Sequence, residues 1–114
     1  MNRLSAALAT AAFFAAVVAP ASASDAKGAE RGKQVYVEQK CKLCHQVAGE
    51  GNAKGPLDGV GSKLKKEEIK EWLVDPQAMS TKAKATRKPA MKAYPKLSAD
   101  DLDALIAYME SLKK

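Results

Sequence analysis

Apolar residues recur at helical spacing in three stretches of the chain and nowhere alternate over the length of a convincing strand. After Ser98, the positions Leu102, Leu105, Ile106, Met109 and Leu112 return every three or four residues with Tyr108 beside them, the stripe of a helix that turns one face to a core. Ser98 predicts its N-cap, Asp100 and Asp101 suit the first turn, and Lys113 and Lys114 suit the negative end of the helix dipole. Upstream, Ala29, Gly32 and Tyr36 share one face of a first helix, capped by Ser24 or Asp25 and running to about Gln39. A glycine inside a helix costs about 1 kcal/mol relative to alanine, so Gly32 suggests a close helix crossing, with plain tolerance as the alternative. Leu64, Ile69, Trp72 and Leu73 give a looser helical pattern from Lys63 to Val74, ended by Asp75-Pro76 because the residue before proline is pushed out of the helical region. Residues 46–61 hold Gly49, Gly51, Gly55, Gly59, Gly61 and Pro56, the composition of a loop. The pattern predicts an all-α chain.

Composition separates this chain into two parts. Of the first 23 residues 17 are hydrophobic, and their layout is that of a secretory signal peptide: Asn2-Arg3, an apolar run from Leu4 to Val18, then Ala21-Ser22-Ala23 for cleavage. A retained membrane anchor is the alternative. Cleavage after Ala23, with Ala21 as the alternative, leaves one domain, 24–114, in an exported chain with no stable membrane insertion, and the net charge of +6 falls by one with the loss of Arg3. The aromatics of that domain are Tyr36, Trp72, Tyr94 and Tyr108 alone, so its core is mostly aliphatic. A domain of this size buries a limited fraction of its surface, and a cofactor, metal or disulfide often completes the core.

Both cysteines and the single histidine fall in Cys41-Lys42-Leu43-Cys44-His45. A C-x-x-C-H run reads as a c-type haem attachment site: two thiols three positions apart can each form a thioether to one vinyl group, and the adjacent imidazole falls beneath the iron. A structural zinc site needs four ligands where this chain offers three Cys or His residues. A redox dithiol belongs at a strand-to-helix junction, which the pattern lacks, and a disulfide across so short a loop would constrain little. On the opposite face of the iron, methionine, lysine, water or a gas are all open. Of the methionines beyond Met1, Met109 lies on the apolar stripe of the last helix, which leaves Met79 and Met91.

From Gly28 to Leu112 the sequence resembles the class I cytochromes c, small bacterial monohaem electron carriers. The parts that carry the resemblance are the helix 29–36 leading into the pentapeptide, the segment Gly55-Pro56-Leu57-Asp58-Gly59-Val60, and Met91-Lys92-Ala93-Tyr94-Pro95-Lys96-Leu97-Ser98 running into the final helix. The resemblance implies three to four helices around one covalently bound haem, with N- and C-terminal helices crossing near Gly32, Tyr36, Leu105 and Tyr108. It implies Cys41 and Cys44 as the haem tethers and His45 as proximal ligand. It also implies Pro56 as the residue whose carbonyl receives the imidazole N–H, and Met91, in the loop just before the last helix, as sixth ligand in preference to Met79.

From Lys82 to Lys96 the chain has Lys82, Lys84, Arg87, Lys88, Lys92 and Lys96 and no acidic residue. Such a run is often only a solvated loop, but here it brackets Met91 and would steer acidic redox partners such as an oxidase, reductase or dehydrogenase. Nucleic acid is a poor partner for a chain without a binding motif or clustered aromatics. No acid–base pair or substrate pocket is legible, so the expectation is a periplasmic carrier of single electrons rather than an enzyme. The alternatives are a cytochrome subunit of a periplasmic dehydrogenase and a gas-binding haem sensor.

Overall fold

The computed structural model describes residues 23–114 together with Ala12 and Ala15, with side chains from Lys27 onward. The expected signal peptide lies outside the described residues, apart from Ala23. The chain forms α1 (Ala23–Glu38), a single 3-10 turn (Cys41–Leu43), β1 (Gln46–Val47), β2 (Glu50–Gly51), α2 (Val60–Lys63), α3 (Lys66–Val74), α4 (Pro76–Lys82) and α5 (Ala99–Ser111). The fold is all-α, as the periodicity predicts, with one short antiparallel ribbon that the pattern does not show. Two-residue strands are too short for alternation to register. The ribbon exists because Ala48 and Gly49 both adopt positive φ, the tight turn that returns Glu50 to Val47.

α1 crosses α5, and the crossing is as close as Gly32 implies: a Cβ there would collide with the Ala104 carbonyl and lie 2.6 Å from the Tyr108 Cβ. One turn on, the Tyr36 and Tyr108 rings meet edge to face at 5.7 Å. Arg31 forks onto Asp101 across the same crossing, Nε to Oδ1 at 2.9 Å and Nη2 to Oδ2 at 3.1 Å. Val35, Leu105 and Ile106 are almost wholly buried, and Ile69 and Leu73 of α3 complete the core against them.

Three expected boundaries shift. α1 already includes Ser24 and Asp25, so neither begins the helix. The predicted helix from Lys63 to Val74 is interrupted at Leu64, which is extended, and α3 restarts where the Glu68 carboxylate accepts the Lys65 N–H at 2.8 Å. Asp75-Pro76 ends α3 and also starts α4: Asp75 accepts the Ala78 N–H at 3.1 Å, and proline at the first helical position loses no hydrogen bond. In α5, Ser98 caps as predicted, accepting the Asp101 N–H at 3.1 Å, whereas Lys113 and Lys114 lie beyond the last turn. No helix among the described residues is long and apolar enough to cross a membrane.

Candidate functional site

The pentapeptide takes its shape from its backbone. Lys40 in the left-handed region breaks α1, and the Cys41 carbonyl then accepts the N–H groups of both Cys44 (3.1 Å) and His45 (2.9 Å). This tight turn leaves Cys44 exposed and brings Cys41 and His45 to the wall of one cavity. Both thiols are free. Among the described residues, no three His, Cys, Asp or Glu side chains are grouped as a metal site.

The cavity encloses about 600 Å³ of atom-free space, part of it open to solvent. Val60, Leu64, Trp72, Leu105 and Met109 are among the apolar residues that line it, and Met91 shares the wall with His45 and Cys41. Met79 does not reach it. That side chain is buried beside a second groove, which Pro56, Asp58, Trp72 and Lys82 also line. Met109 faces the cavity from α5 while belonging to the core cluster, as its place on the helical stripe implies.

The imidazole is oriented by a main-chain carbonyl, but not that of Pro56. His45 Nδ1 lies 3.1 Å from the Gly55 oxygen, and because a carbonyl can only accept, Nδ1 carries the proton and Nε2 keeps its lone pair for a metal. The correction has a backbone cause. Gln46 forms a parallel bridge with Pro56, donating to the Gly55 carbonyl (2.9 Å) and accepting from the Leu57 N–H (2.8 Å), which aims the Gly55 oxygen at residues 45 and 46. Pro56 itself is exposed. Burial lowers the His45 pKa, the Gly55 hydrogen bond opposes that shift, and the Arg87 cation adds to it, so the balance favours the neutral, ligating form.

These residues fit a haem. The space is apolar, as a porphyrin requires, and soft sulfur and imidazole nitrogen donors share its wall. The Tyr36 hydroxyl, buried in that wall, has no hydrogen-bond partner among the described residues. Burial pushes Tyr36 and Tyr94 each up to about 12, and the Cys41 thiol is likewise raised by burial, against the hydrogen bond it shares with Tyr94. Sequence reasoning missed Gly55 and Arg87. Gly55 is legible only as a loop glycine, and Arg87 only as one cation in a run.

Comparison with known proteins agrees with this geometry. Over 94 residues, 75% of this chain, the sequence is 36% identical to cytochrome c oxidase subunit 2 of Alkalihalophilus pseudofirmus (strain ATCC BAA-2126 / JCM 17055 / OF4). Over 106 residues, 81% of the chain, it is 30% identical to cytochrome c oxidase subunit 2 of Bacillus subtilis (strain 168). The matched stretches are 26% and 28% of those proteins, so the chain spans about a quarter of the length of the curated relatives it matches. No solved structure matches the chain significantly. The sequence pattern of the family described as cytochrome c matches residues 29–113, which covers α1 after its first turns, the pentapeptide, the cavity and α5. A domain of that kind implies covalently bound haem c and electron transfer through it, and with most of its length matched the chain belongs to the cytochrome c family.

Proposed function

We propose that this chain is a periplasmic carrier of single electrons, with Cys41 and Cys44 as haem tethers and His45 and Met91 as axial ligands. The observation that carries the reading is the shared cavity: His45, Cys41 and Met91 line one apolar space, while Met79 lies in another groove. When bound, the haem supplies a one-electron Fe(II)/Fe(III) couple, and a thioether ligand favours the reduced state relative to a second imidazole. The protein's own residues fix the rest. Gly55 holds the imidazole as a neutral donor, α3 and α5 wall the cavity with apolar side chains, and His45 and Met91 together would leave a bound iron no free position for a substrate. This chain is therefore a carrier and not an enzyme.

Export to the periplasm follows from the signal-like layout of residues 1–23. The cations at Lys82, Lys84, Arg87, Lys88 and Lys92 are all exposed around Met91, and Lys96 extends the run, a surface suited to an acidic redox partner. Among such partners the names of the relatives favour an oxidase. A second reading has the domain docked permanently to its partner as a subunit. Co-purification of a partner at high salt would establish that reading, and loss of the partner there would favour a diffusible carrier. The deciding experiment is an absorption spectrum of the oxidised and reduced protein: the carrier shows a methionine-to-iron charge-transfer band and does not bind carbon monoxide without denaturant. Ready carbon monoxide binding would overturn the carrier in favour of a gas-binding protein.

A further inference from the structure

The segment between α4 and α5 carries Met91 yet is barely fastened by its own backbone. At its start Lys84 and Ala85 donate to the carbonyls of Thr81 and Ser80, and near its end Tyr94 donates to Leu73. From 86 to 93 the main chain makes no hydrogen bond with any described residue. A segment of this kind has little local stability of its own and needs side-chain contacts to hold one shape.

One side chain supplies such a contact. Arg87, four residues ahead of Met91, reaches to Gly55, where its Nη1 takes the space that a Cβ would need and its Cζ lies 3.1 Å from that position. The Cys44 carbonyl oxygen crowds the same space. Gly55 is thus a seat that any side chain would fill. It is also the residue whose carbonyl accepts from His45 Nδ1 at 3.1 Å and from the Gln46 N–H at 2.9 Å. The loop bearing one proposed ligand therefore rests, through one guanidinium, on the residue that orients the other.

We propose that Arg87 is a positioning residue that ties the Met91 loop to the His45 segment through its seat on Gly55. Of the six cations in the run, it is the one found against Gly55, which distinguishes it from a merely solvating charge. A planar guanidinium suits a flat seat between two backbone segments better than a flexible ammonium does.

The tether stands on geometry alone, whereas its consequence for the iron rests on the proposed His45 and Met91 ligation. The test uses the haem-loaded, reduced protein and backbone nitrogen-15 relaxation of residues 86–93, comparing wild type with Arg87→Gln, Arg87→Lys and Lys88→Gln. Arg87→Gln should lower the order parameters of Lys88, Ala90 and Met91 from about 0.85 to below about 0.6, and Arg87→Lys should lower them part of the way. Lys88→Gln, which removes the same charge one residue later, should leave them unchanged. In Arg87→Gln the charge-transfer band of the oxidised protein should also vanish at a lower urea concentration than the global unfolding reported by Trp72 fluorescence. Unchanged order parameters in Arg87→Gln, or an equal loss in Lys88→Gln, overturns the tether. A wild-type protein without the band overturns the Met91 ligation, while the relaxation data still decide the tether.

Discussion

Met91 and Met79 are the same side chain in different surroundings, and their surroundings separate their roles. Met91→Ala should abolish the charge-transfer band, because it removes the thioether that shares a cavity with His45. Met79→Ala should keep the band and lower stability by about 2–5 kcal/mol in urea unfolding, the cost of hollowing out a buried position. Tyr36 carries a pH signature. Burial raises its pKa from 10.0 to about 12, so the stability that depends on its neutral form is complete below pH 10 and is lost as pH rises toward 12. Tyr36→Phe should flatten that alkaline loss by the share of one tyrosine, measured as urea stability against pH. At this scale the chemistry of the pentapeptide was legible because residue type and spacing alone define it. The partner of His45 was not: a carbonyl belongs to every residue, and the bridge between Gln46 and Pro56 decides which one points inward.

Among the elements, the crossing of α1 and α5 tolerates the least change. Gly32→Ala would drive a methyl group into the Ala104 carbonyl, and a cost of about 1–3 kcal/mol is expected from such overpacking, read from the urea midpoint. Ser98→Ala removes the hydroxyl that accepts the Asp101 N–H and should cost about 1 kcal/mol without disturbing the absorption spectrum. The two long terminal helices could be read from the sequence because each presents a sustained apolar face. α4 could not, since Asp75-Pro76 stops one helix and caps the next with the same two residues. Nor could the Arg31–Asp101 fork, which joins residues 70 positions apart and leaves no mark in local pattern.

For the whole molecule, charge is the property that the partner meets first. The only ion pairs among the described residues belong to Arg31, so none of the six cations of the run from Lys82 to Lys96 is neutralised by a carboxylate within the fold. Electron transfer to an acidic partner should slow by about tenfold between 0.01 and 0.15 M ionic strength, as the screening length shrinks from about 30 to about 8 Å, and a flat profile in stopped-flow measurements would remove the steering role. The segregation of charge and its bracketing of Met91 were legible along the chain, but the exposure of these cations required the fold. The meeting of the first and last helices also sets a sequence of events in time. Leu105 and Met109 of α5 form part of the cavity wall, so the cavity does not exist until the final helix has docked. That docking closes a long loop and so costs more chain entropy than forming the local turns. Before it, Cys41 and Cys44 sit on an open chain, accessible to whatever delivers the prosthetic group. After it, Cys41 lies in a wall that the last part of the chain helps to form, while Cys44 stays exposed.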